Sequence, residues 1–124
     1  MNLVDSSGWL EYFADGQNAE FFATPIRDIP KLIVPTICIY EVFKVMARER
    51  GGLAAAYAIS VMEVGEVVNL DAGLAMTAAQ TSAEQRLAMA DSIILATARS
   101  FNATLWTQDA DFRGLEGVEY IETM

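Results

Sequence analysis

The sequence contains no histidine. That absence removes imidazole acid–base catalysis, the Ser-His-Asp and Cys-His pairings, and histidine-ligated zinc sites. Cysteine is nearly absent as well. Cys38 alone excludes a disulfide framework and a thiolate metal site, and it suits a reducing compartment. Bases are scarce: 8 Lys and Arg face 17 Asp and Glu, a formal charge of −9 that works against any bulk electrostatic grip on nucleic acid or an anionic membrane. No apolar run approaches the roughly 20 residues that span a bilayer. The N-terminus lacks a basic segment leading into an apolar run, and Asp5 interrupts it early, so no signal peptide is expected. The expectation is a soluble, cytoplasmic protein. What the chain does have is apolar content, 53% hydrophobic against 20% charged over 124 residues. That rules out intrinsic disorder and supports a single domain, residues 1–124, with its own core.

No internal repeat or low-complexity segment is present. Met1–Asp5 reads as a short apolar strand ending at an acid. Ser6–Ser7–Gly8 can cap a helix in which Trp9, Leu10 and Phe13 recur at helical spacing up to Asp15–Gly16. A short helix is expected over Ala19–Thr24. Leu32–Ile33–Val34, between Pro30 and Pro35, suits a buried strand, with Thr36 as the N-cap of a helix Ile37–Arg50 that stops at Gly51–Gly52. Further helices are expected at Leu53–Val64, at Ala72–Thr81 capped by Asp71, and at about Ala88–Phe101. Strands are expected at Val67–Leu70, Thr104–Thr107 and, at a sheet edge, Val118–Ile121. Strands interleaved with helices imply βαβ units and a mostly parallel sheet covered on both faces, an α/β fold.

In such a sheet, ligands bind beyond the carboxyl ends of the strands. Asp5 follows Leu3–Val4, and Asp109 follows Leu105–Trp106–Thr107. Two further acids sit among apolar residues on helices. Glu41 shares a helical face with Ile37, Cys38 and Val45; Asp91 shares one with Ile94, Leu95 and Ala98. Each has a structural reading of its own. Asp5 can simply cap the first helix, Asp91 can complement a helix dipole, and Asp109 and Asp111 can be turn residues. Glu41 resists that treatment, because a mid-helix acid among Ile, Tyr, Val and Phe gains nothing from capping. As a set the acids fit a cation site, since carboxylates brought together repel unless a hard cation holds them. Without His or a usable Cys the ligands are oxygens, which points to Mg²⁺ or Mn²⁺ rather than zinc.

These residues resemble the PIN-domain ribonucleases of the VapC toxin type. The likeness runs from Leu3-Val4-Asp5-Ser6-Ser7 through Glu41 and Met89-Ala90-Asp91-Ser92-Ile93-Ile94 to Leu105-Trp106-Thr107-Gln108-Asp109-Ala110-Asp111-Phe112. It implies a three-layer α/β/α sandwich with a mostly parallel sheet of four to five strands. It also implies a Mg²⁺ pocket, with Mn²⁺ as substitute, made by Asp5, Glu41, Asp91 and Asp109. Asp111 is a more variable fifth member, and Thr107 and Ser6 lie beside the pocket. The implied activity is hydrolysis of RNA by metal-activated water, and the implied partners are RNA, a protein antitoxin and a second copy of the chain. Setting five pocket acids aside leaves 12 acids against 8 bases. Lys44, Arg48 and Arg86 are the candidate phosphate contacts, although a basic helix end also serves as a dipole complement. Met46, Met62, Met76 and Met89 read as core filler, and surplus apolar surface is expected to serve partners. Two other functions remain open: an RNA-processing nuclease with no antitoxin, and a silent interaction module whose acids are remnants. A phosphotransferase built on Asp5 does not fit, because its second acid would fall at Ser7.

Overall fold

A computed structural model describes all 124 residues. The strands are β1 (Asn2–Val4), β2 (Leu32–Pro35), β3 (Glu66–Val68), β4 (Thr104–Thr107) and β5 (Val118–Tyr120). Between them run α1 (Ser6–Phe13), α2 (Ala19–Arg27), α3 (Thr36–Arg50), α4 (Gly52–Met62), α5 (Ala72–Gln85) and α6 (Met89–Ser100), with 3₁₀ turns at Ile29–Lys31 and Ala110–Phe112. All strand pairings are parallel, in the order β3-β2-β1-β4-β5. Successive steps β1→β2→β3 travel one way along the sheet, and the β3→β4 connection returns past β1. Right-handed crossovers then place α1–α4 on one face and α5–α6 on the other. The expected α/β/α sandwich is present, with five strands.

The apolar runs explain the layering. Leu3, Val4, Leu32, Ile33, Val34 and Leu105 are buried in the sheet, and Trp9, Phe22, Val42, Met62, Ile94, Leu95 and Phe112 close over it. One approach is tight enough to demand glycine: a Cβ on Gly8 would lie 2.6 Å from the Phe22 ring and 2.7 Å from Val4. That contact seats α1 directly against α2 and β1.

Several boundaries differ from the sequence reading, each for a packing reason. The second helix does not stop at Thr24 but runs through Pro25 to Arg27, because Pro25 and Ile26 are buried with Phe22 and Ala23. Thr36 is not the N-cap of α3. Pro35 holds that position while still paired with Val68, so the chain passes from strand to helix without a capping side chain. The third strand ends at Val68 instead of Leu70, since β2 offers no partner beyond Pro35. The fifth helix continues past Thr81, whose buried hydroxyl donates to the Thr77 carbonyl, and ends on Arg86 in the left-handed conformation. Met46 and Met62 are core residues, but Met76 and Met89 are 66% and 73% exposed. Small residues, Ala78 and Thr81, make the buried face of α5, and Ser92–Ala98 makes that of α6.

Candidate active site

Strand order reverses at β1, whose neighbours β2 and β4 belong to the two directions of travel. In open α/β sheets that reversal opens a crevice beyond the strand ends. Both strand-end acids stand there. Val4 pairs with Trp106, which sets Asp5 beside Thr107, and the Asp5 N–H donates to the Trp106 carbonyl at 3.1 Å.

Asp5 is 3% exposed. Its Oδ1 accepts from the Ser7 hydroxyl at 2.7 Å and the Gly8 N–H at 3.0 Å, so Asp5, rather than Ser6–Ser7–Gly8, caps α1. Its Oδ2 does something else: it accepts from the buried Thr107 hydroxyl at 2.8 Å. The Thr107 oxygen in turn accepts the Asp109 N–H at 2.9 Å, and Asp109 Oδ1 accepts the Asp111 N–H at 2.9 Å. A continuous hydrogen-bonded line therefore runs from the end of β1 to the turn after β4. Burial pushes the Asp5 carboxyl up to about 6, against the three donated hydrogen bonds that favour its ionised form, with Asp109 adding repulsion.

Asp91 lies in the first turn of α6, half-buried. Its carboxyl is pushed up to about 7, first by burial and then by the charges of Asp109, Asp111, Asp5 and Glu41. Those four repulsions place all five acids in one electrostatic neighbourhood. Within it, carboxylate oxygens of Asp91, Asp109 and Asp111 lie within 4.8 Å of one another. Three hard oxygen donors so close, in a chain without His, fit a Mg²⁺ or Mn²⁺ ion. Glu41, half-buried on α3, holds the Ser6 hydroxyl at 2.6 Å through Oε1.

The sequence reading gave Asp111 a secondary place; the structure sets it in the tight trio, while Asp5 and Glu41 stand beside that trio. The candidate bases are not drawn in. Lys44 is exposed with its ammonium 5.8 Å from the Tyr40 ring centroid, Arg48 pairs with Glu49 at 3.5 Å in solvent, and Arg86 is exposed at the end of α5. Three participants were missed. Ser7 was read as part of a helix start and of the opening motif, but not as a hydrogen-bond donor to Asp5. Asn18 and Gln108 carry no local signal for their contact, because their side chains meet across 90 residues.

Cys38 is buried 4.0 Å from the Val4 carbonyl, and burial drives its thiol pKa upward, so it is an inert core side chain. No helix is long and apolar enough to cross a membrane. Exposed apolar side chains include Tyr40, Leu53, Tyr57, Met76 and Met89.

Comparison with known proteins agrees with this fold. A family model described as the PIN domain matches residues 3–118. A toxin–antitoxin complex from Klebsiella pneumoniae superimposes with a TM-score of 0.81 at 21% identity, over 96% of each chain. The Mycobacterium tuberculosis protein VapC20, described as a toxin that cleaves the sarcin-ricin loop, gives 0.75 at 19% identity over 90% of this chain and 92% of that one. DNA-bound VapBC from Salmonella typhimurium gives 0.74 at 16% identity over 98% of each chain. At these identities the likeness is one of fold. No curated protein sequence matches significantly.

Proposed function

The chain belongs to the PIN-domain family, and from that premise we propose that it is a divalent-metal-dependent endoribonuclease acting as the toxin of a toxin–antitoxin pair. The observation that carries the proposal is the convergence of Asp91, Asp109 and Asp111 within 4.8 Å at the strand-order reversal, with Asp5 and Glu41 alongside. Asp91, Asp109 and Asp111 would hold Mg²⁺ or Mn²⁺. When bound, such an ion polarises a phosphate oxygen, acidifies a coordinated water and offsets the charge of the departing oxygen.

The protein groups have separable tasks. Asp5 is fixed at both oxygens by Ser7, Gly8 and Thr107, so it acts as an immobile negative wall that raises cation affinity and orients what the trio holds. Glu41 uses only Oε1 on Ser6, which leaves Oε2 to accept a hydrogen bond from the attacking water and to take its proton. Thr107 relays orientation between Asp5 and the Asp109 backbone. No covalent intermediate is required. The exposed cations of Lys44, Arg48 and Arg86 supply contacts to the RNA backbone outside the acidic pocket, where they fix the strand without contributing to the chemistry.

The toxin assignment draws on the matched structures, two of which are described as toxin–antitoxin or VapBC assemblies. Exposed apolar side chains on α3, α4, α5 and α6 supply surface for a protein antitoxin and for a second copy of the chain. The test is direct. Purified protein incubated with structured RNAs should cleave with Mg²⁺ or Mn²⁺ and not with chelator, and uncontrolled expression should arrest growth. Equal cleavage with and without chelator overturns the metal reading, and growth unaffected by active protein overturns the toxin reading.

A further inference from the structure

Asn18 occupies the N-cap position of α2, where an asparagine ordinarily turns its side chain back to accept a helix N–H. Here it makes no such bond. Its side chain is 4% exposed and is directed across the molecule: Nδ2 donates to Gln108 Oε1 at 2.9 Å and to the Glu122 carbonyl at 3.1 Å. The Asn18 N–H is held by Glu11 Oε2 at 2.9 Å, which fixes the residue from its own side. Gln108 directly precedes Asp109. Its carbonyl accepts the Thr123 hydroxyl at 3.2 Å, and the Ile121 N–H donates to the Thr107 carbonyl at 3.0 Å.

The segment 107–111 is therefore tethered on two sides. On the pocket side, Thr107 and the Asp109 N–H tie it to Asp5. On the other side, Asn18 and Thr123 tie Gln108, Ile121 ties Thr107, and Asn18 is itself bonded to the Glu122 carbonyl. The load on this segment is electrostatic, because Asp109 faces Asp91 and Asp5, and both carboxyls feel it as repulsion. An untethered turn would relieve that repulsion by swinging Asp109 outward, and the cation would then have to draw it back on binding. A side chain that gives up its helix cap to hold this turn works against that movement.

We propose that Asn18 is a positioning residue for the metal centre, acting through Gln108 to hold Asp109 at the distance from Asp91 and Asp111 that cation binding needs. The inference rests on the metal reading given above and names a device that supports it. Preorganisation predicts a particular pattern. Loss of the tether should weaken the cation rather than the chemistry, so saturating metal should restore the rate.

Mn²⁺ binding to the full-length protein by calorimetry, with the Mg²⁺ midpoint for RNA cleavage alongside, makes the test. Asn18→Ala and Gln108→Met should each raise the Mn²⁺ dissociation constant about tenfold, about 1.4 kcal/mol. The double variant should be no worse than either, and Gln108→Glu, which keeps the accepting oxygen, should not weaken binding. The maximal rate at saturating Mg²⁺ should stay within a few fold of wild type. Gln108 is only partly buried, so its variants report even if Asn18→Ala fails to fold. Unchanged Mn²⁺ affinity in Gln108→Met, or additive losses in the double variant, overturns the proposal. If the wild type binds no Mn²⁺, the metal reading itself fails. Hydrogen exchange of the Asp109 amide then judges the tether separately: protection lost in Gln108→Met supports it, and protection retained there overturns it.

Discussion

Without histidine, the protein offers an unusually clean view of its own acidic pocket. Ordinary carboxylates finish titrating by about pH 5.5. Between there and pH 7.5 the groups in play are Asp5, pushed up to about 6, and Asp91, pushed up to about 7, both from 3.8. In that interval the folded chain keeps protons that the unfolded chain has already released. Their stabilisation is complete below about pH 4 and is lost as pH rises through 6 and 7. From pH 5 to 7.5 the loss is about 1.4 kcal/mol for Asp5 and, after allowing for water around the half-buried Asp91, about 1 kcal/mol more. The metal-free melting temperature should therefore fall by roughly 6–12 °C across that range. Millimolar Mn²⁺ at pH 7.5 should recover much of it, since a ligand at a hundredfold its dissociation constant adds about 2.7 kcal/mol. Asp91→Asn should flatten the metal-free curve. Calorimetric melts in chelator at half-unit pH steps, wild type against Asp91→Asn, make the measurement. A wild-type melting temperature that is level or rising from pH 5 to 7.5 would refute the account of both carboxyls.

Two further outcomes are expected. Glu41→Gln should reduce RNA cleavage at saturating Mg²⁺ by about a hundredfold or more, the scale of a single catalytic proton transfer, while leaving the melting temperature level or slightly raised; cleavage assays and melts on one preparation check both. Gly8→Ala should lower stability by about 1–3 kcal/mol or more in denaturant titrations, because its methyl would enter the 2.6 Å approach to Phe22.

The placement of the acids was legible in the sequence because it follows from local rules. An apolar run that stops at an acid marks Asp5 and Asp109, and an acid among apolar neighbours at helical spacing marks Glu41 and Asp91. The position of Asp111 was not legible in the same way. It depends on a 3₁₀ turn closed by the Asp109 side chain on the Asp111 N–H and anchored by the fully buried Phe112, none of which has a spacing signature. Asn18 is the harder case, since its partners lie 90 and 104 residues away and its local context reads as an ordinary helix start. The same distinction separates the methionines. Hydrophobicity placed all four inside, but the close packing of α5 on α6 through Ala78, Ile93 and Ala96 leaves Met76 and Met89 outside.

The parallel register of β1 against β4 also governs when the acidic pocket can assemble during synthesis. Leu3 and Asp5 are made well before their partners Leu105 and Thr107, which follow about a hundred residues later, 102 in the case of Asp5 and Thr107. At roughly 5–20 residues per second the interval is about 5–20 s. Throughout it the β4 edge of β1 is unpaired, and the pocket still lacks Asp109 and Asp111. Such long-range parallel pairing also forms slowly, because the loop must close before the contact repays it. Until β4 has been made and has docked beside β1, the chain therefore carries only part of the acidic pocket.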